Sequence, residues 1–286
     1  MQKLSYLLFS VFTFLSLTAN AQSPWTQKKG EGYFQLSYTT IADYSALFLA
    51  DGGSWRLSRP VSDITLSFYG EYGLSDDITI LTSVPFKLLE TGNELVQNPS
   101  IAVPTIGAGN LNTLGNLQVG VRKNFVNKNF ILSGQIKAEL PTGSFDAATG
   151  LRSGLDALSI IPSVSIGKGW TDYYGYINVG TSIRTNDYSG DLIIGGELGA
   201  HVLDRLWLIA VLDIIENFEN GNVQEDSRNL ETGLYVNNQE FLAYGFKGIV
   251  EITDNFGVNV AFYGASSGNF VARRASTNFG AYFKLK

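Results

Sequence analysis

Cysteine is absent from the 286 residues, and histidine and methionine occur once each. Without thiols there are no disulfides, no thiolate chemistry and no lipid attached to a cysteine after a leader. Positive charge is also scarce: 20 Lys and Arg stand against 26 Asp and Glu, for a net charge of -6 and a pI near 4.9. Binding to a nucleic-acid backbone demands clustered cations, so that partner is excluded. Beyond Leu17 no apolar run approaches the roughly 20 residues that a membrane-spanning helix needs. Proline is limited to 7 residues, whereas 31 glycines and 13% aromatics are present, a composition suited to many short strands. A chain of this length can form one large β domain.

The first residues set the compartment. Lys3 supplies a positive start, Leu4 to Leu17 an apolar stretch, and Ala19-Asn20-Ala21 a small-residue cleavage site. A signal peptide is expected over residues 1–21, with residues 22–286 as the mature domain. The apolar stretch is short for a membrane span, and the polar Thr18 to Ser23 follow it directly.

From Gly32 to Lys286 the chain alternates apolar and polar residues with a period of two. Ile64, Leu66, Phe68 and Tyr72 oppose Thr65, Ser67, Tyr69 and Glu71; Phe279, Ala281, Phe283 and Leu285 oppose Asn278, Tyr282 and Lys284. About twelve such segments are present, each near the 9 to 11 residues that a tilted strand needs to cross hydrocarbon. Leu206 to Ile215 is apolar on both faces, which leaves its orientation open. The connections alternate in length. Ser75-Asp76-Asp77, Asn127-Lys128-Asn129, Gly169 to Asp172, Asp204-Arg205 and Asp254-Asn255 are tight reversals. Between them lie longer polar stretches, approximately Asp43 to Pro60, Glu90 to Thr113, Pro141 to Gly154, Thr185 to Gly190, Glu219 to Asn237 and Ser266 to Ser276.

A soluble sandwich does not require turn lengths to alternate, whereas a closed sheet in an outer membrane does. The expected fold is all-β, a transmembrane antiparallel up-and-down β-barrel. Its short turns and both termini face the periplasm, and its long loops face outward. Aromatic girdles are expected from Tyr72, Phe125, Phe130, Trp170, Tyr173, Trp207 and Phe256 near the short turns, and from Tyr44, Phe86, Tyr188, Phe218 and Phe241 near the long loops. The expected location is the outer membrane of a Gram-negative bacterium. Membrane lipid, lipopolysaccharide, the outer-membrane assembly machinery and a small-molecule solute are the expected partners.

Candidate chemistry is thin. Gly264-Ala265-Ser266-Ser267-Gly268 matches a nucleophile elbow, but no helix follows it and the sole histidine, His201, precedes it in the wrong order. The strand map also puts Ser266 at the outer rim and His201 by a short turn, on the order of 25 Å away for ten residues of tilted strand. Gly107-Ala108-Gly109 lacks the third glycine of a dinucleotide loop. Glu216 to Asp226 holds four carboxylates without calcium-loop spacing. These patterns imply no enzyme, no cofactor and no metal. The polar face is more informative: Glu71, Lys87, Arg122, Lys137, Glu139, Arg184, Glu197 and Lys247 are expected to line the lumen with both signs of charge. Leu47, Phe48 and Leu49 in the first outer loop, and Ile101 and Val103 in the second, form apolar clusters that can capture a hydrophobic solute.

Leu114-Gly115-Asn116-Leu117-Gln118-Val119-Gly120 opening one strand, Leu140-Pro141-Thr142-Gly143 leaving the next, and Gly150 and Gly154 beyond it resemble the outer-membrane family associated with the meta-pathway of phenol degradation. That family is distantly similar to the fatty-acid and aromatic-hydrocarbon transport barrels. The resemblance implies passive uptake of small hydrophobic or amphiphilic molecules, including aromatic ones, and carries over no binding residue. About ten residues separate Gln22 from the first strand, too few for the plug domain of TonB-dependent receptors. The end Phe283-Lys284-Leu285-Lys286 lacks the terminal aromatic of many barrels. A structural or adhesion barrel acting through its outer loops is the competing expectation.

Overall fold

The computed structural model describes residues 23–101 and 103–286; the expected signal peptide lies outside the described residues. The segments in chain order are β1 (Gly32–Phe48), β2 (Ser54–Ser75), β3 (Ile78–Thr91), β4 (Gly109–Leu114), β5 (Leu117–Asn127), β6 (Ile131–Leu140), β7 (Phe145–Asp146), β8 (Leu151–Arg152), β9 (Ser159–Gly169), β10 (Tyr173–Arg184), β11 (Gly190–Leu203), β12 (Leu206–Glu219), α1 (Ser227–Leu230), β13 (Glu240–Glu251), β14 (Phe256–Asn269), β15 (Val271–Ala272) and β16 (Ser276–Leu285). β4 and β5 both pair with β3 and form one wall strand interrupted at Gly115-Asn116. β7 with β8 is a hairpin outside the wall, and β15 is an extra rung on β1. That leaves twelve antiparallel wall strands. β1 pairs with β2 on one side and β16 on the other, so the sheet has no free edge. Closure satisfies every wall strand internally, as hydrocarbon requires.

Side chains follow the pleat. Leu36, Val121, Ile136, Val164, Ile177, Phe246 and Phe279 are each between 48% and 65% exposed and together form an apolar belt around the outside. A water-soluble monomer rarely exposes a continuous apolar surface of this extent. Gly32 pairs with both Leu285 and Tyr72, so the barrel begins and ends at the short-turn end.

Two details differ from the sequence expectations and a third settles an orientation left open. The first outer loop shrinks to residues 49–53, because β1 and β2 continue pairing to Phe48↔Ser54 past bulges at Ile41/Tyr44 and Tyr44/Ala46. Leu47 and Phe48 are thus strand residues. Trp207, Tyr44 and Phe241 are not girdle residues. Trp207 stacks on His201 at 4.7 Å, Tyr44 is buried, and Phe241 lines an interior cavity. Tyr188 is also buried, whereas Phe86 and Phe218 face outward. Finally, β12 is apolar on both faces because its inward Ile209 and Val211 pack with Ala261 and Tyr263 of β14 inside the barrel.

Candidate channel and its two closures

At the short-turn end, residues 23–30 turn into the lumen instead of hanging free. The Trp25 ring meets Tyr174 and Tyr176 edge-on at 5.6 and 5.9 Å, and its carbonyl accepts from Arg122 Nη1 at 2.8 Å. The Gln27 amide donates to Glu71 at 2.7 Å, and its backbone N–H to Thr79 at 2.8 Å. Arg122, only 1% exposed, bonds Glu71 at 3.0 Å and Gln135 at 3.2 Å. The approach depends on Gly73, whose backbone exchanges bonds with Gly30 and Glu31. A Cβ at residue 73 would sit 1.9 Å from the Lys28 carbonyl oxygen. The ten residues that are too few for a plug domain still suffice for this short stopper.

At the opposite end the loop from 220 to 239 folds over the mouth. Glu231, 1% exposed, is its anchor: Ser58 Oγ donates to one carboxylate oxygen at 2.7 Å, and the Thr105 backbone N–H at 3.0 Å and its hydroxyl donate to the other. Tyr44 donates to the Thr232 carbonyl at 3.1 Å, the Thr232 hydroxyl to the Gly150 carbonyl at 2.9 Å, and Arg152 Nε to Asn229 at 3.0 Å. Beneath the loop, Leu47, Leu57, Val61, Leu89, Leu151 and Leu234 form an apolar core. Gly233 has φ +68°, and a Cβ there would lie 2.5 Å from Leu47 Cδ1. Two acids sit outside this core. The Arg228 side chain, bonded to Asp226, holds the Asp226 carboxyl down at about 2, whereas burial raises that of Glu225.

Three cavities separate the closures. The outer one, about 200 Å³, lies under the loop among Ile41, Tyr44, Leu234, Phe241 and Val271, with Lys87 and Asp63 at its polar side. A side cavity of about 130 Å³ reaches Lys137, Glu139, Arg184 and Asp213 and shares Phe241 with it. The inner one, about 250 Å³, shares Thr39 with the outer cavity and reaches Ser23 and Gln27 of the stopper.

All eight charged residues expected from the sequence to line the lumen stand at inward positions; four of them pair with one another and two pair with aspartates. Lys87 meets Asp63 at 2.8 Å, Lys247 meets Glu197 at 2.7 Å, Arg122 meets Glu71, and Arg184 meets Asp191. Glu139 accepts from Asn116 at 3.1 Å and Gln118 at 2.7 Å; Lys137 lines the side cavity. Asp63, Asp213 and the inner tyrosines Tyr33, Tyr69, Tyr176 and Tyr263 were not selected. Asp63 has the same parity as Glu71 in β2, the signal that identifies it. Of the outer-loop candidates, Leu47 is fully buried, Phe48 and Leu49 are half-buried, Ile101 is half-buried, and Val103 is 74% exposed. They do not form one surface. Ser266 is exposed in β14 with its hydroxyl donating to the Leu242 carbonyl at 3.3 Å, while His201 is in register with Trp207 at the short-turn end. Serine and imidazole are at opposite ends of the wall.

Closed wall, apolar belt and polar interior define the fold of an outer-membrane β-barrel. Among solved structures the chain is similar to an outer-membrane channel from Pseudomonas putida F1, with 13% identity over 93% of this chain and 100% of that one and a TM-score of 0.67. It also aligns with the KdgM porin in complex with disordered oligogalacturonate (9% identity, 87% and 98% of the two chains, TM-score 0.48) and with the Pseudomonas putida toluene transporter TodX (9%, 90% and 90%, TM-score 0.43). No family model matches the chain, and no curated protein matches it.

Proposed function

We propose that this protein is an outer-membrane pore that admits small hydrophobic or amphiphilic molecules, aromatic ones included, by passive diffusion. The single observation that carries the reading is an interior that holds cavities with polar linings and is stopped at both ends by the chain's own segments. A purely structural barrel needs neither cavities nor closures, since side chains alone can fill a narrow interior. The apolar lining of the outer cavity, from Ile41, Leu234, Phe241 and Val271, supports a solute with an apolar part. The resemblance of residues 114–120 and 140–143 to the phenol meta-pathway barrels points the same way. Long loops outward and termini in the periplasm agree with the shared short-turn end of Gly32 and Leu285. Planar-bilayer conductance and liposome swelling by the purified barrel test the proposal. Brief openings and uptake of small neutral solutes are expected; a protein that neither conducts nor admits any solute would overturn it.

A further inference from the structure

The inner cavity has a chemistry of its own. Two carboxylates face it, and every oxygen of both already accepts a hydrogen bond. Glu71 accepts from Arg122 and Tyr69 on one oxygen and from Gln27 on the other. Glu197 accepts from Lys247 on one oxygen and from Tyr174 on the other. A charged solute would have to compete with these pairs for partners, at the cost of leaving a buried charge uncompensated.

The polar lining groups that have no partner at all among the described residues are neutral. The hydroxyls of Tyr176 and Tyr263, 8% and 3% exposed, line the cavity and make no hydrogen bond to any described residue. The Ser67 and Ser83 hydroxyls are likewise unpartnered and line the same cavity. These four hydroxyls open into the cavity rather than being sealed in the wall, so each is free to bond a molecule that enters it. Each hydroxyl both donates and accepts, which suits a ligand that also does both.

The aromatic component is equally specific. Tyr33, stacked on Tyr282 at 5.3 Å, and Tyr69, 6.4 Å from Tyr33, line the cavity beside the hydroxyls. An aromatic face is electron-rich and attracts the polarised C–H bonds on one side of a saturated, oxygen-substituted ring. A cavity of roughly 150 Å³ already admits benzene; about 250 Å³ leaves room for a six-membered ring with its substituents.

We infer that the inner cavity binds an uncharged, polyhydroxylated six-membered ring of pyranose type, held by the Tyr176 and Tyr263 hydroxyls beside the tyrosine ring faces. The inference rests on the pore reading and refines its solute class: the sugar-like ring occupies the inner cavity, and an apolar substituent of the same molecule reaches past Thr39 into the outer one.

Saturation-transfer NMR of the full-length barrel in detergent micelles, with D-glucose, D-glucuronate and phenol as probes, tests the site without requiring permeation. Glycerol-driven swelling of liposomes carrying the same preparation tests the pore separately. D-glucose should receive saturation in preference to the other two, and Tyr176→Phe/Tyr263→Phe should weaken its binding by about tenfold, the loss expected for two neutral hydrogen bonds. The single variant Tyr176→Phe, checked for the heat-modifiable mobility of a folded barrel, serves if the double variant misfolds, and should show a smaller loss. Absence of a glucose signal, a stronger signal for phenol or glucuronate, or glucose binding unchanged in the folded variants would overturn the assignment. Failure of glycerol swelling alone would overturn the pore and leave the binding result standing by itself.

Discussion

The residue with most depending on it is Glu71. Its carboxylate is the counter-charge of Arg122, a guanidinium with 1% exposure, and it also fastens Gln27 of the stopper. Removing one member of a buried pair typically costs about 3–5 kcal/mol, because the surviving charge stays buried without compensation. Glu71→Gln should therefore destabilise the barrel by about that amount, read as a lowered urea midpoint for unfolding from phospholipid vesicles. An unchanged midpoint would show that Gln135 and the Trp25 carbonyl suffice for Arg122. Gly73 acts differently, through space alone. The three atoms nearest a methyl group at residue 73 all belong to Lys28 and Gln27 of the stopper, so Gly73→Ala should expel residues 23–30 while leaving the barrel folded. The expected result is new protease sensitivity near Lys28 and Lys29 with unaltered electrophoretic mobility of the folded form. Continued protection would mean that the Trp25 contacts hold the stopper without the glycine.

At the scale of elements, the wall and the closures are encoded in different ways. Wall strands declare themselves by period-two alternation, because each residue of Ile64 to Tyr72 meets either lipid or lumen, and Asp76-Asp77 or Asp204-Arg205 then reverses the chain. The closures have no period. Tyr44 reaches Thr232 across 188 positions and Thr105 reaches Glu231 across 126, contacts that no local pattern announces. The signals that did exist were small: an apolar Leu234-Tyr235-Val236 inside a polar loop, and a lone Trp25 in a polar lead-in. The same separation explains the girdle residues that turned inward, since Trp207 and Tyr44 satisfy a boundary position and an interior one equally well by type. Loop 220–239 also carries a pH dependence. Burial holds the Glu225 carboxyl above its ordinary value of 4.5, so the closed loop binds that proton more tightly than an open one does. The unfavourable buried charge is fully present at neutral pH and is relieved as the pH falls towards 4.5. Asp226 does not oppose this, because its carboxyl, held at about 2, stays ionised throughout. Acidification over that range should shorten channel openings, and Glu225→Gln should remove the effect. Longer openings at acid pH in the unmodified protein would contradict the sign.

For the molecule as a whole, the arrangement of the closures makes a prediction that neither makes alone. The stopper at residues 23–30 and the loop at 220–239 lie at opposite ends of one lumen, with the cavities sharing Thr39 and Phe241 between them. Barriers in series add their resistances. Opening one end leaves flux limited by the other, however wide the first becomes. Gly73→Ala releases the inner end. Gly233→Val addresses the outer one, because its side chain would collide with Leu47 and its φ of +68° is unfavourable for a branched residue. Each single variant should therefore raise single-channel conductance only modestly, and the double variant should exceed the sum of the two increments. Gly73 lies in β2, but alanine keeps its backbone rung to Thr79 and neither substitution removes a pairing of the twelve-stranded wall, so heat-modifiable mobility should be the same. If either single variant alone reached the conductance of the double, only one of the two segments would obstruct the lumen, and the other would be a structural tie between wall strands.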